Sequence, residues 1–162
     1  HFAPEAGSFS VTKSTFPELE TVGEELEYSF EGERTIPLQR LGERYLLTAP
    51  FQSRAESYTG LEDGRSYPFD TTDTKGLVEE TVLLELPAQL VPVEIPGPTE
   101  LSSPELDYRF RVEKQEDSRL AFHRSLTIKV LEVPPERCGE FKKLLSAVAE
   151  ADRSIVSLSV RE

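Results

Sequence analysis

Between Arg124 and Glu162 the hydrophobic period changes twice, and no other stretch constrains the fold as tightly. Leu126, Ile128 and Val130 alternate with Ser125, Thr127 and Lys129, the two-residue repeat of a strand with one buried face. Pro134 and Pro135 end that alternation, and Cys138, Phe141, Leu145 and Val148 then recur at helical spacing, which reads as one amphipathic helix over about Pro135 to Ala151. Val156, Leu158 and Val160 set against Ser157, Ser159 and Arg161 return to period two. The order is therefore strand, single helix, strand. Proline is tolerated in a helix's first turn, and Glu136 stands near the positive end of the helix dipole. Gly139 weakens the helix by roughly 1 kcal/mol relative to alanine, so its apolar stripe has to be held by burial against a sheet.

Upstream, alternation dominates. Leu106, Tyr108, Phe110 and Val112 alternate with Asp107, Arg109, Arg111 and Glu113, and after the polar run Lys114 to Ser118 the pattern resumes at Leu120 and Phe122; this predicts a hairpin. Val82, Leu84 and Leu86 alternate with Thr81, Leu83 and Glu85, and Val91 to Ile95 continues extended, at a sheet edge because Pro92 cannot donate to a ladder. Ile95-Pro96-Gly97-Pro98 is a connection. Val22, Leu26, Tyr28 and Phe30 share one parity against Glu25, Glu27, Ser29 and Glu31, as in an antiparallel strand with one wet face, with a bulge or strand start at Gly23-Glu24. Glu31-Gly32-Glu33 reads as a hairpin turn, followed by an apolar arm from Ile36 to Leu47 around Gly42. Ala49 to Gly76 reads as loops around one short strand near Tyr67. Residues 1–17 are expected to be a linker turning into a first strand, or a tag remnant, and residues 18–162 a single domain. The fold expected is mainly β: an antiparallel, immunoglobulin-like β-sandwich with one C-terminal helix followed by a last strand.

The chain has 162 residues, enough to bury one core without metal or disulfide. Thirty acidic against 18 basic residues give a net charge of −12, a field that repels phosphate backbones and argues against nucleic acid as a partner. No apolar run is long enough to cross a bilayer, so membrane insertion is not expected. The lack of any methionine suggests a piece of a longer product, with His1 a tag or cleavage remnant. A lone cysteine excludes an internal disulfide and leaves the compartment open.

Few residues carry the makings of chemistry. Cys138 lies on the helix's apolar stripe, which points to an inert, packed thiol. His123 falls on the polar side of its strand, and the cysteine and histidine count is too small for a zinc site. Carboxylates alone can bind calcium; Glu62-Asp63 and Asp70 with Asp73 are the best clusters, and neither has the alternating spacing of a calcium loop. No phosphate loop, nucleophile elbow or His-Glu-x-x-His element occurs. No catalytic, cofactor-binding or metal residue is expected. The candidate ligand or interface patch is Arg65, Tyr67 and Asp70, in Arg65-Ser66-Tyr67-Pro68-Phe69-Asp70, since Arg and Tyr are frequent interface anchors. The plainer reading of this segment is an internal brace, with Arg65 paired to a carboxylate and Tyr67 and Phe69 packed across the sandwich.

Four segments in order, GRSYPFD at Gly64–Asp70, LLELP at Leu83–Pro87, VEIPGP at Val93–Pro98 and VPPERCGEFKKLL at Val133–Leu145, make the chain resemble a bacterial domain of unknown function. In that family the domain stands at the C-terminal end of transglutaminase-like proteins, after an N-terminal domain of unknown function and a papain-like core. The resemblance spans about Glu18 to Val160. It implies a non-catalytic accessory or interaction domain, without a cofactor, on an extracytoplasmic and often periplasmic protein whose Cys-His-Asp chemistry lies in the preceding core. That core is the partner implied. Cys138 falls where the family often carries an aromatic, commonly tyrosine, which fits a packing role. Two alternatives remain: a free-standing immunoglobulin-like module binding a glycan or protein through Arg65 and Tyr67, and a calcium-dependent acidic domain.

Overall fold

Alternating polarity becomes antiparallel pairing at every ladder among the described residues. The computed structural model describes residues 10–15, 29–33, 35–51, 65–115 and 118–161. The chain divides into two compact units, His1–Pro37 and Leu38–Glu162.

In the first unit, β1 (Ser10–Thr15) pairs with β2 (Ser29–Glu33). The hairpin turn expected at Glu31-Gly32-Glu33 is not there: all three residues lie within β2, opposite Lys13, Val11 and Ser10. The ladder skips Thr12, between Val11 opposite Gly32 and Lys13 opposite Glu31, so the irregularity is a bulge on β1 and the chain does not reverse at Gly32. Most of the strand expected over Val22 to Phe30 lies outside the described residues.

The second unit begins with β3 (Gln39–Leu41) and β4 (Arg44–Thr48), joined at Gly42-Glu43. Gly42 has φ +63°, the left-handed conformation that two-residue hairpin loops require; the apolar arm around Gly42 is thus two strands. β5 (Phe69–Asp70), β6 (Gly76–Glu85), β7 (Leu90–Glu94), β8 (Thr99–Ser102), β9 (Leu106–Gln115), β10 (Arg119–Ile128) and β11 (Glu132–Val133) follow, then α1 (Cys138–Ala151) and β12 (Ile155–Val160). One four-stranded sheet has the order β6-β10-β9-β8 and the other β3-β4-β12-β7, with β11-β5 a separate two-stranded ribbon. The two larger sheets form the antiparallel sandwich, with one C-terminal helix before the last strand. The short strand expected near Tyr67 is β5, with Tyr67 in the bend before it.

Burial follows parity. Leu106, Tyr108 and Phe110 of β9 and Leu120, Phe122 and Ile128 of β10 are buried, while Arg109, Arg111 and Glu113 are exposed. The β9–β10 register runs unbroken from Arg119 opposite Gln115 to Ile128 opposite Leu106. In the other sheet Leu47, Leu90, Val156 and Leu158 are buried. Phe51, just past β4, meets Phe110 and Phe122 edge-to-face at centroid distances of 6.0 and 6.4 Å, which joins the chain leaving one sheet to the inner face of the other. β7 lies at an edge as Pro92 requires, and Val93 is an extra residue where Ser157 pairs with Glu94 and Leu158 with Pro92.

The expected helix has two parts. Pro135–Arg137 forms a single 3-10 turn, closed by the Arg137 N–H on the Pro134 carbonyl, and the α-helix begins at Cys138. Proline lacks an N–H, which is harmless in a first turn where such groups have no partner within the helix. The predicted stripe is the buried one: Cys138, Phe141, Leu145 and Val148 face inward, and Phe141 lies against Phe69, centroids 6.3 Å apart.

Candidate functional site

The sequence patch is split by its surroundings. Phe69 is half-buried on Phe141, and Val133 is its partner across β5–β11. The Arg65 guanidinium lies 5.6 Å from the centre of the Phe69 ring, a cation–π contact. Tyr67 is 77% exposed, so the brace reading fails for this residue: Pro68 separates it from the ribbon that Phe69 enters. Asp70 turns back on the chain. Its carboxylate accepts the Thr72 N–H at 2.8 Å, and the hydrogen bonds from the Thr72 side chain and backbone hold its pKa below the ordinary carboxylate value. Thr71, which is buried, anchors the loop by donating its hydroxyl to the Val130 carbonyl and its N–H to the Leu131 carbonyl. Arg65 and Tyr67 thus precede β5 and Asp70 ends it, with Tyr67 the exposed aromatic of the segment.

The other candidates are tied into the fold. The buried Cys138 thiol donates to the Pro134 and Val133 carbonyls at 3.4 and 3.7 Å. His123 lies on the outer face of β10, its Nδ1 3.3 Å from the Thr81 hydroxyl on β6 and its Nε2 3.5 Å from Glu113 on β9, while Glu113 also pairs with Arg111 at 3.1 Å. Among the described residues no group of three His, Cys, Asp or Glu side chains could hold a metal ion; Glu62 and Asp63 lie outside those residues. No helix among the described residues is long and apolar enough to cross a membrane.

The strongest polar constellation is one that the sequence reading missed. Asp152, which caps the C-terminal end of α1, accepts the Tyr108 hydroxyl at 2.7 Å and the Arg124 Nε–H at 2.8 Å on the same oxygen. The Arg124 and Asp152 side chains are 2% and 0% exposed, and the Arg124 guanidinium lies 5.9 Å from the centre of the Phe51 ring. The signal was present. Arg124 shares the inward parity of Phe122 and Leu126, and Asp152 stands four residues after Val148 on the buried helical stripe. A basic and an acidic residue at inward positions of two different elements imply each other, because neither charge is stable in a core alone. A second link ties the helix entry to the sheet: Arg137 grips the buried Glu105 with two bonds, at 2.9 and 3.1 Å.

The Arg124–Asp152–Tyr108 cluster is buried and ties β9 and β10 to the end of α1. Burial, and then the hydrogen bond to Asp152, raise the pKa of Tyr108 well above the ordinary tyrosine value of 10. The Arg137 hydrogen bonds hold Glu105 below the ordinary value of 4.5. A group shifted up stabilises the fold fully below its unfolded-state value and loses that contribution as pH rises; a group shifted down does so above its unfolded-state value and loses it as pH falls. Stability is thus expected to be level from about pH 5 to about pH 9, falling on the acid side as Glu105 protonates and on the alkaline side above pH 10 as the unfolded chain's Tyr108 ionises. In Tyr108→Phe, urea midpoints measured against pH should lose part of the alkaline decline while the neutral value drops by about 1 kcal/mol for the missing hydrogen bond. An unchanged alkaline slope would remove Tyr108 as its cause.

Comparison with known proteins adds one match. No curated protein and no solved structure matches the chain. Residues 43–158, from the β3–β4 turn to Leu158 of β12, match the family described as "Domain of Unknown Function with solved-structure structure (DUF3858)". That span holds every strand of the sandwich except β3, together with α1 and both charged links of the helix to the sheet, and the chain accordingly belongs to the DUF3858 family of domains of unknown function.

Proposed function

We propose that this chain is a non-catalytic accessory or interaction domain of a bacterial transglutaminase-like protein, extracytoplasmic and periplasmic, which packs against and positions a papain-like core in the same polypeptide. Membership of DUF3858 and the four ordered segments motivate the reading. The observation that carries it is the engagement of the chemically able groups in the fold: the one thiol is buried on carbonyl oxygens, and the buried Arg124–Asp152–Tyr108 cluster is sealed from solvent. Tyr67, 77% exposed in the bend before β5, is the anchor proposed for the core. The parent gene provides the first test, because a coding sequence without a Cys-His-Asp core upstream of His1 would end the proposal. Given such a core, isothermal titration of this chain against it should show binding, weakened about tenfold or more by Tyr67→Ala with the circular dichroism spectrum unchanged.

The exposure of Tyr67 also favours a second reading, a free-standing module that binds a glycan or protein ligand through Arg65 and Tyr67. It would be preferred if the core were absent from the parent and a glycan or protein array gave a ligand lost in Tyr67→Ala.

A further inference from the structure

Sheet edges attract other strands unless something blunts them, and three of the four edges of this sandwich are blunted. β3 has three residues and β8 four, while β7 carries Pro92 and the extra residue Val93. β6 is different. It is ten residues long, contains no proline, and keeps an unbroken register with β10 from Gly76 opposite Ile128 to Glu85 opposite Arg119. Among the described residues β10 is its one ladder partner. Gly76, Leu77, Val78 and Glu79 are exposed in succession on both faces of the strand, a pattern foreign to a strand flanked on both sides. Leu77, Val78 and Leu83 remain 58%, 44% and 66% exposed. A long, regular, apolar edge is the template for strand addition by an extended peptide, in which backbone hydrogen bonds supply affinity and side chains supply selectivity.

Charge selects the occupant. The strand carries Glu79, Glu80 and Glu85 and no basic residue, in a chain of net charge −12; Glu85 is paired with Arg119 of β10 at 2.8 Å, and Glu79 is exposed on the same face as Leu77 and Leu83. A second copy would bring the same glutamates to the same edge and a second −12 with it. We infer that β6 accepts an extended, cationic polypeptide segment as an added antiparallel or parallel strand, its basic side chains beside Glu79 and its apolar ones over Leu77 and Leu83. This surface lies on a different element from the Tyr67 loop, and the inference stands whether or not a core precedes the chain.

The probe is a fluorescein-labelled peptide of about ten residues, matching β6, in which lysine alternates with valine and threonine. Fluorescence anisotropy with the full chain should show binding that weakens about tenfold between about 0.05 M and about 0.5 M salt, and amide resonances of β6 should shift on titration. Three changes should each weaken binding about tenfold or more: glutamate in place of every lysine, N-methylation of alternate peptide nitrogens, and Leu77→Lys combined with Leu83→Lys in the protein. Both leucines are exposed, so an unchanged melting temperature in the double variant certifies its fold. Equal binding of the acidic peptide or of the N-methylated peptide would overturn the inference. So would wild-type self-association in sedimentation that disappears in the double variant, since the edge would then belong to a second copy.

Discussion

Asp152→Ala is expected to destabilise the domain by about 3 to 5 kcal/mol, the range for removing one partner from a buried ion pair. The carboxylate accepts both the Arg124 Nε–H and the Tyr108 hydroxyl, and alanine leaves both donors beneath the sheet without the acceptor they share. Against a domain stability of about 5 to 15 kcal/mol, that loss moves the fold toward its threshold. Asp152→Asn keeps an oxygen for Tyr108 and discards the charge, so it should fall between wild type and alanine. The decisive comparison is the double change Arg124→Met with Asp152→Ala, which removes the stranded charge and should cost less than Asp152→Ala alone. Urea unfolding followed by far-ultraviolet circular dichroism gives all the values. A change within about 0.5 kcal/mol for Asp152→Ala, the size of a surface substitution, would mean that the pair contributes nothing to holding α1 on the sheet.

What the sequence made legible, and what it hid, follows from the length over which a pattern repeats. β9, β10 and α1 each run for ten or more residues, so period and burial coincide over several repeats, and Tyr108, Phe110, Phe122, Phe141 and Leu145 were readable as core. β5 and β11 have two residues each and β8 four, too few for a two-residue period to stand out from chance; tertiary pairing creates them. Glycine misled at Gly32, which lies within β2 paired with Val11, whereas Gly42 has the positive φ of a real turn. Strand order was also hidden. That β12 enters between β4 and β7 depends on pairings between residues far apart in the chain, which local alternation does not encode. At the site level the loop of Arg65, Tyr67 and Asp70 was visible as composition, but the outward aim of Tyr67 came from the docking of Phe69 on Phe141. Arg124 and Asp152 were overlooked because a charge on an apolar stripe reads as an interruption until its partner on another element is known.

Ending the chain at Ser154 is expected to abolish cooperative folding of the sandwich. β12 is the last strand in the sequence yet occupies an interior position, pairing with β4 on one side and β7 on the other. Without it those two strands share no ladder, and the β3-β4-β12-β7 sheet separates into a short β3–β4 hairpin and a lone β7, neither stable in water by itself. Val156 and Leu158, both fully buried, would take about 1.5 to 3 kcal/mol each with them, before counting the backbone bonds of two ladders. That sum approaches the whole stability of a marginal domain. Thermal melts of the truncated chain should show no sharp transition and its aromatic circular dichroism should flatten. Adding residues 155–162 as a separate peptide should restore part of both signals by refilling the gap. A truncated chain that still melted cooperatively would show that β6, β10, β9 and β8 close a core without the opposing sheet, and the edge-to-face packing of Phe51 on Phe110 and Phe122 would then be a consequence of folding rather than one of its causes.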